Sequence, residues 1–168
     1  MNDVKKIHRE AISLLDDALL LKRNGDYEGY RTKIFTAFEK EREAAKLLED
    51  KFDIEPTRSV LFRSAASLAF YYCDMSHEAL KLLFLGFSGN PPSFVKCEML
   101  EIIEDIVEQK NEEILNLQNK LKEKERQLLR QKILDEVSNS TPSSNNELLS
   151  IGLVGRFMEK SKEIHKCV

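Results

Sequence analysis

The chain has 168 residues, 42% hydrophobic and 33% charged, with six Gly, four Pro and no Trp. That is apolar material for one core with few breakers, so the expected class is all-α. Its formal net charge of −3, with both signs interspersed, supplies no field to gather DNA, RNA or an acidic membrane surface, and neither nucleic acid nor membrane is an expected partner.

At the start, MNDVKKIHREAISLLDD carries charges in every apolar window, so it reads as neither a signal peptide nor a membrane span, and a cytoplasmic protein is expected. From Val4 to about Lys22 the apolar residues Ile7, Ala11, Leu14, Leu15, Ala18 and Leu21 recur at spacings of three and four, the stripe of a helix. Gly25 stands where a left-handed residue closes a helix, and Asp26 can cap the next one, from about Tyr27 to Leu48. So short a turn requires the two helices to lie antiparallel. In FDIEPT, Pro56 forces the residue before it out of helical conformation and ends this hairpin.

A second hairpin follows. Its first helix, about Thr57 to Tyr72, is dense in small residues (Ser64, Ala65, Ala66, Ser67, Ala69) that let a neighbouring backbone come close. After the CDMSHE turn, Ala79, Leu82, Leu83 and Gly86 recur at helical spacing until Gly89 and Pro91 stop the helix. The run LLFLGF is far shorter than the ~20 residues a bilayer demands, and it reads as a core helix. Cys73, Cys97 and Cys167 are odd in number and widely spaced, without a CxxC pair, which fits reduced thiols; Cys73 and Cys97 are expected as small core residues.

The stretch from Val60 to Pro92, with Ser67, Phe70, Ala79, Leu83, Gly86 and Pro91 in order, resembles a tetratricopeptide repeat. The first hairpin is similar through Leu14, Ala18, Leu21, the NGDYE turn, Ile34 and Ala37, although it carries Tyr30 where that repeat has a small residue and lacks a closing proline. The set as a whole also resembles small helical-hairpin proteins of bacteria. The resemblance spans about residues 7–108, counting 93–108 as a capping helix. It implies a surface that binds a peptide or another protein. Two units bury little of each other, so such an array needs further cover.

Between Ser93 and Thr141 there is neither Gly nor Pro, and Leu100, Val107, Ile114, Leu121 and Leu128 repeat every seven residues with Ile103 and Leu117 at companion positions. Lys110, Lys124 and Gln131 fill the other companion positions and leave the seam half polar. The pattern predicts a long helix that either splits near EQKNEE or pairs as a coiled coil. The basic run KLKEKERQLLRQK has no aromatic to stack on bases, and its Glu123 and Glu125 can pair with Arg126 and Lys122, so it reads as a solvated face. SNSTPSSNN is a polar linker, and the apolar residues after it either fold back on the hairpins or dock on another protein.

No nucleotide loop, Rossmann fingerprint or serine-hydrolase elbow occurs, and His8, His77 and His165 lack metal-ligand spacing. The resulting expectation has four segments: a tetratricopeptide-like domain over 1–108, a long charged helix over 109–137, a linker over 138–147 and an apolar segment over 148–168. The expected role is a non-enzymatic adaptor without cofactor or metal. Arg31, Lys33, Arg58, Arg63 and Tyr71 are its candidate partner-binding residues. Leu100, Val107, Ile114, Leu117, Leu121 and Leu128 would hold a homodimer. The alternative is a regulatory or antitoxin-like subunit that controls an associated enzyme through its C-terminal segment.

Overall fold

A computed structural model describes residues 2–139 of the chain, and every element there is helical. The helices are α1 (Asn2–Arg23), α2 (Tyr27–Lys46), α3 (Thr57–Tyr71), α4 (Ser76–Phe87) and α5 (Ser93–Asn139), with a 3-10 turn at Phe52–Ile54 between α2 and α3. The chain divides into two compact units between Asn116 and Leu117.

In the first unit the turn after α1 forms as its residues dictate. Gly25 adopts φ 84°, in the left-handed region where a side chain would be strained. Asp26 then caps α2, its Oδ1 accepting from the Gly29 amide at 2.8 Å. Three polar side-chain contacts fix the register: His8 to Glu41 at 2.7 Å, Glu10 to Lys40 at 3.3 Å and Asp17 to Lys33 at 2.5 Å. Early residues of α1 meet late residues of α2, so the pair is antiparallel. Buried Ala11, Ala18, Ala37, Ala44 and Ala45 supply small side chains for its core.

The second hairpin is also antiparallel, with Arg58 at the start of α3 meeting Leu85, Gly86 and Ser88 at the end of α4. Glu55 is extended (φ −74°, ψ 146°), as the residue before proline must be, and the Glu55–Pro56 bond is cis. Helix α2 packs against α3 and joins the two hairpins. Ala65, Ala66 and Ala69 on α3 are fully buried among Phe62, Leu82 and Leu83.

Helix α5 covers the second hairpin with Val95, Met99, Ile102 and Ile106, spaced four, three and four. A Cβ on Gly86 would lie 2.8 Å from the Met99 sulfur and 3.2 Å from the Phe62 Cβ, so the glycine is what lets α4 approach both neighbours. Arg63 meets Glu98 and Tyr71 meets Asp105, so α5 runs parallel to α3. Ser76 bonds Gln109 while Gly86 faces Met99, so α5 runs antiparallel to α4.

The helix does not break at EQKNEE, and the expected segments 93–108 and 109–137 are parts of one 47-residue helix. It takes in Ser138 and Asn139, the first residues of the expected linker; the rest of that linker and the segment 148–168 lie outside the described residues. Cys97 is a correction: it is exposed, because it falls off the stripe that α5 turns to the core. Cys73 is partly buried and packs against the core. Among the described residues no helix is long and apolar enough to cross a membrane.

Candidate protein-docking surface

The five candidate partner-binding residues fall into three environments. Arg31, on α2, is exposed, and Lys33 is partly exposed and held by Asp17. Arg63 is half-buried on α3, its Nε 3.3 Å from Glu98 Oε2 as an ion pair without hydrogen-bond alignment. Tyr71 is half exposed, its hydroxyl donating to Asp105 Oδ2 on α5.

Arg58 corrects the sequence reading, because its side chain is fully buried. Its Nε donates to the Glu49 carbonyl at 2.8 Å, and its Nη2 donates to the Leu85 carbonyl at 2.8 Å and to Ser88 Oγ at 3.0 Å. A longer contact joins Nη1 to the Gly86 carbonyl at 3.4 Å, and Glu55 lies 3.5 Å away. The guanidinium stands 4.7 Å from the Phe52 ring centroid and 5.0 Å from that of Phe62. It donates to the last carbonyls of α4, where the helix dipole favours a cation, and the Leu85 carbonyl accepts from the Ser88 amide and hydroxyl as well. Arg58 is therefore a structural tie and not part of a docking surface. Its ion pair is with Glu55, whereas Arg63 meets Glu98 and Glu78 pairs with Arg42 and Lys81.

The sequence reading took His8 only as a histidine without metal-ligand spacing and passed over Glu41. Glu41 is fully buried, one carboxylate oxygen 2.7 Å from His8 Nδ1 and the other without a hydrogen-bond partner. The signal was available, since Ile34, Phe38, Glu41 and Ala45 follow the apolar spacing and all are buried. Arg58 likewise precedes Phe62, Ala65 and Ala69 on the core stripe of α3. In both cases a charge on an apolar stripe marks an internal tie.

Burial pushes the Cys73 thiol up to about 11, with the Glu39 charge adding to the effect, so it stays a thiol near neutrality. The Tyr71 hydroxyl is pushed up to about 12 by burial, by its bond to Asp105 and by the charges of Asp105 and Glu101. Burial raises Tyr30 as well, with Cys73 and Tyr72 adding to it. Among the described residues no group of three or more His, Cys, Asp or Glu side chains is arranged to hold a metal ion.

What the surface does offer is apolar area along α5. Leu100 is 49% exposed and Val107 51%, while Met99 and Ile106, their neighbours in sequence, are buried. The seven-residue series and the core stripe are thus different rows of one helix. On the first unit Ile103, Val107 and Leu115 line a shallow open depression with Glu104, Glu108 and Glu112, an apolar strip beside acids. Ile114 is also exposed. In the second unit Leu117, Leu121 and Leu128 are each about 60% exposed, and none of its described residues is buried. Compared with protein-family models, curated proteins and solved structures, the chain has no match in any of the three.

Proposed function

We propose that this protein is a non-enzymatic adaptor that self-associates through α5 and presents its tetratricopeptide-like hairpins to a partner protein. The observation that carries the reading is the exposed series Leu100, Val107, Ile114, Leu117, Leu121 and Leu128 on α5. Scattered exposed leucines are ordinary on a protein surface, but a series sustained at seven-residue intervals is the signature of helices that pair. Water-exposed apolar area of this regularity favours association by roughly 25 cal/mol for each Å² removed from solvent.

On the hairpins, Arg31, Lys33, Arg63 and Tyr71 remain the residues available to a partner, and Arg58 is removed from the set by its burial. A peptide lying across α3 would meet Tyr71 and the Arg63–Glu98 pair, which offers both signs of charge.

Light scattering on the full chain tests the reading. A dimeric mass is expected, falling to that of a monomer when Leu121→Asp and Leu128→Asp are introduced together. An unaltered chain that is monomeric at tens of micromolar, roughly the range in which short coiled coils assemble, would remove α5 as an assembly element.

A further inference from the structure

The geometry points to a second copy of this chain as the occupant of the apolar seam of α5, aligned parallel and in register within the second unit; this rests on the self-association just proposed. With Leu121 and Leu128 at the first core position of the heptad and Leu117 at the second, Lys124 and Gln131 also fall at second core positions. Lys120 and Gln127 then flank the seam on one side, and Glu125 and Lys132 on the other.

In a parallel in-register pair each leucine packs on its own copy, giving layers at 117, 121 and 128. Flanking contacts run from one helix to the residue five positions later on the other. Lys120 therefore meets Glu125 twice by symmetry, Gln127 meets Lys132, and no like charges meet at these flanking positions; within the seam Lys124 faces its own copy.

The antiparallel alignments do worse. One pairs Leu117 with Leu128 and Leu121 with Lys124, and it sets Lys120 against Lys120 and Glu125 against Glu125. Shifting it by one heptad pairs Leu117 with Leu121 but leaves Leu128 opposite Lys110. Shifting it the other way leaves both Leu121 and Leu128 opposite polar residues.

The free charges agree with the parallel arrangement. Along α5, Lys110 pairs with Glu113, Arg126 with Glu123, Gln127 with Glu123 and Gln131 with Asp135. Lys120 and Glu125, like Lys122, Lys124, Arg130 and Lys132, have no partner among the described residues; what sets Lys120 and Glu125 apart is that they are of opposite sign and flank the seam on its two sides. They are five apart, a separation that one helix cannot bridge and a parallel neighbour can. Lys124 opposite Lys124 is tolerable in a two-stranded pair, where the alkyl stem covers the seam and the ammonium reaches water. A third strand would crowd three ammonium groups into one layer, so the pair stops at two.

The test uses Gln131→Cys in a full chain that also carries Cys97→Ser and Cys167→Ser, with mass measured in parallel. A parallel pair places the two introduced thiols in one layer, and mild oxidation is expected to give a covalent dimer in high yield. In any of the antiparallel alignments the thiols are far apart. A dimeric mass without the crosslink overturns the parallel arrangement and leaves self-association standing; a monomeric mass overturns both. As a second readout, Lys120→Glu is expected to raise the dimer dissociation constant about tenfold, and Glu125→Lys added to it is expected to restore the original value. Absence of that restoration overturns the Lys120–Glu125 contact.

Discussion

Arg58 shows how one side chain can tie several segments together. It joins the turn after α2, the turn before α3 and the last carbonyls of α4, and its removal would leave Glu55 with an uncompensated charge and take from the Glu49 and Gly86 carbonyls the hydrogen bonds it donates. Arg58→Ala is expected to cost about 3–5 kcal/mol in urea unfolding, the range for breaking a buried charged pair. Arg58→Lys should recover little, because an ammonium cannot reach three acceptors in a plane or stack on Phe52 and Phe62. Equal stability of both variants and the parent would show that these contacts contribute nothing. Tyr71 makes a different prediction. Its folded hydroxyl holds its proton up to about 12, whereas an unfolded tyrosine loses it near the ordinary value of 10. The Tyr71–Asp105 contribution is therefore complete below about pH 10 and lost as pH rises toward 12. Tyr71→Phe should remove that part of the alkaline loss of stability, which circular dichroism across the interval would detect.

Helix α5 carries two apolar rows with different consequences. Val95, Met99, Ile102 and Ile106 pack on the second hairpin, and Leu100 and Val107 do not. Met99→Ala is expected to destabilise the first unit by about 2–4 kcal/mol, because a cavity opens beside Gly86 and Phe62. In the chain carrying Leu121→Asp and Leu128→Asp, where the proposed pairing is removed, Leu100→Ala should cost well under about 1 kcal/mol in chemical denaturation, since a half-exposed leucine leaves no enclosed void. Comparable losses for the two would mean that the rows are assigned wrongly. The periodicity of the sequence detected a long helix and a seven-residue row. It did not separate that row from the core stripe, since Met99 and Leu100 are adjacent and both apolar.

On the scale of the whole molecule, the proposed self-association would make apparent stability depend on concentration. For a chain that assembles only when folded, a tenfold rise in concentration should raise the midpoint of thermal unfolding by about 2 °C. The Leu121→Asp and Leu128→Asp chain should show no such dependence, and scanning calorimetry at two concentrations separates the cases. The helices, the glycine turn, the Asp26 cap and the stop at Pro56 were all readable from residue order, because each depends on neighbours within about four positions. Arg31, Lys33, Arg63 and Tyr71 were readable as chemical types, but not what they touch. Burying Arg58, pairing Glu41 with His8 and setting α5 beside α3 each join residues about 30 or more positions apart. Local pattern carries no information about such distances, since a charge on an apolar stripe is costly by itself and becomes favourable only when a partner arrives. The sequence by itself thus determined the elements and their order. Only the tertiary structure decided which partners the inward-facing charges meet and which apolar row of α5 stays exposed.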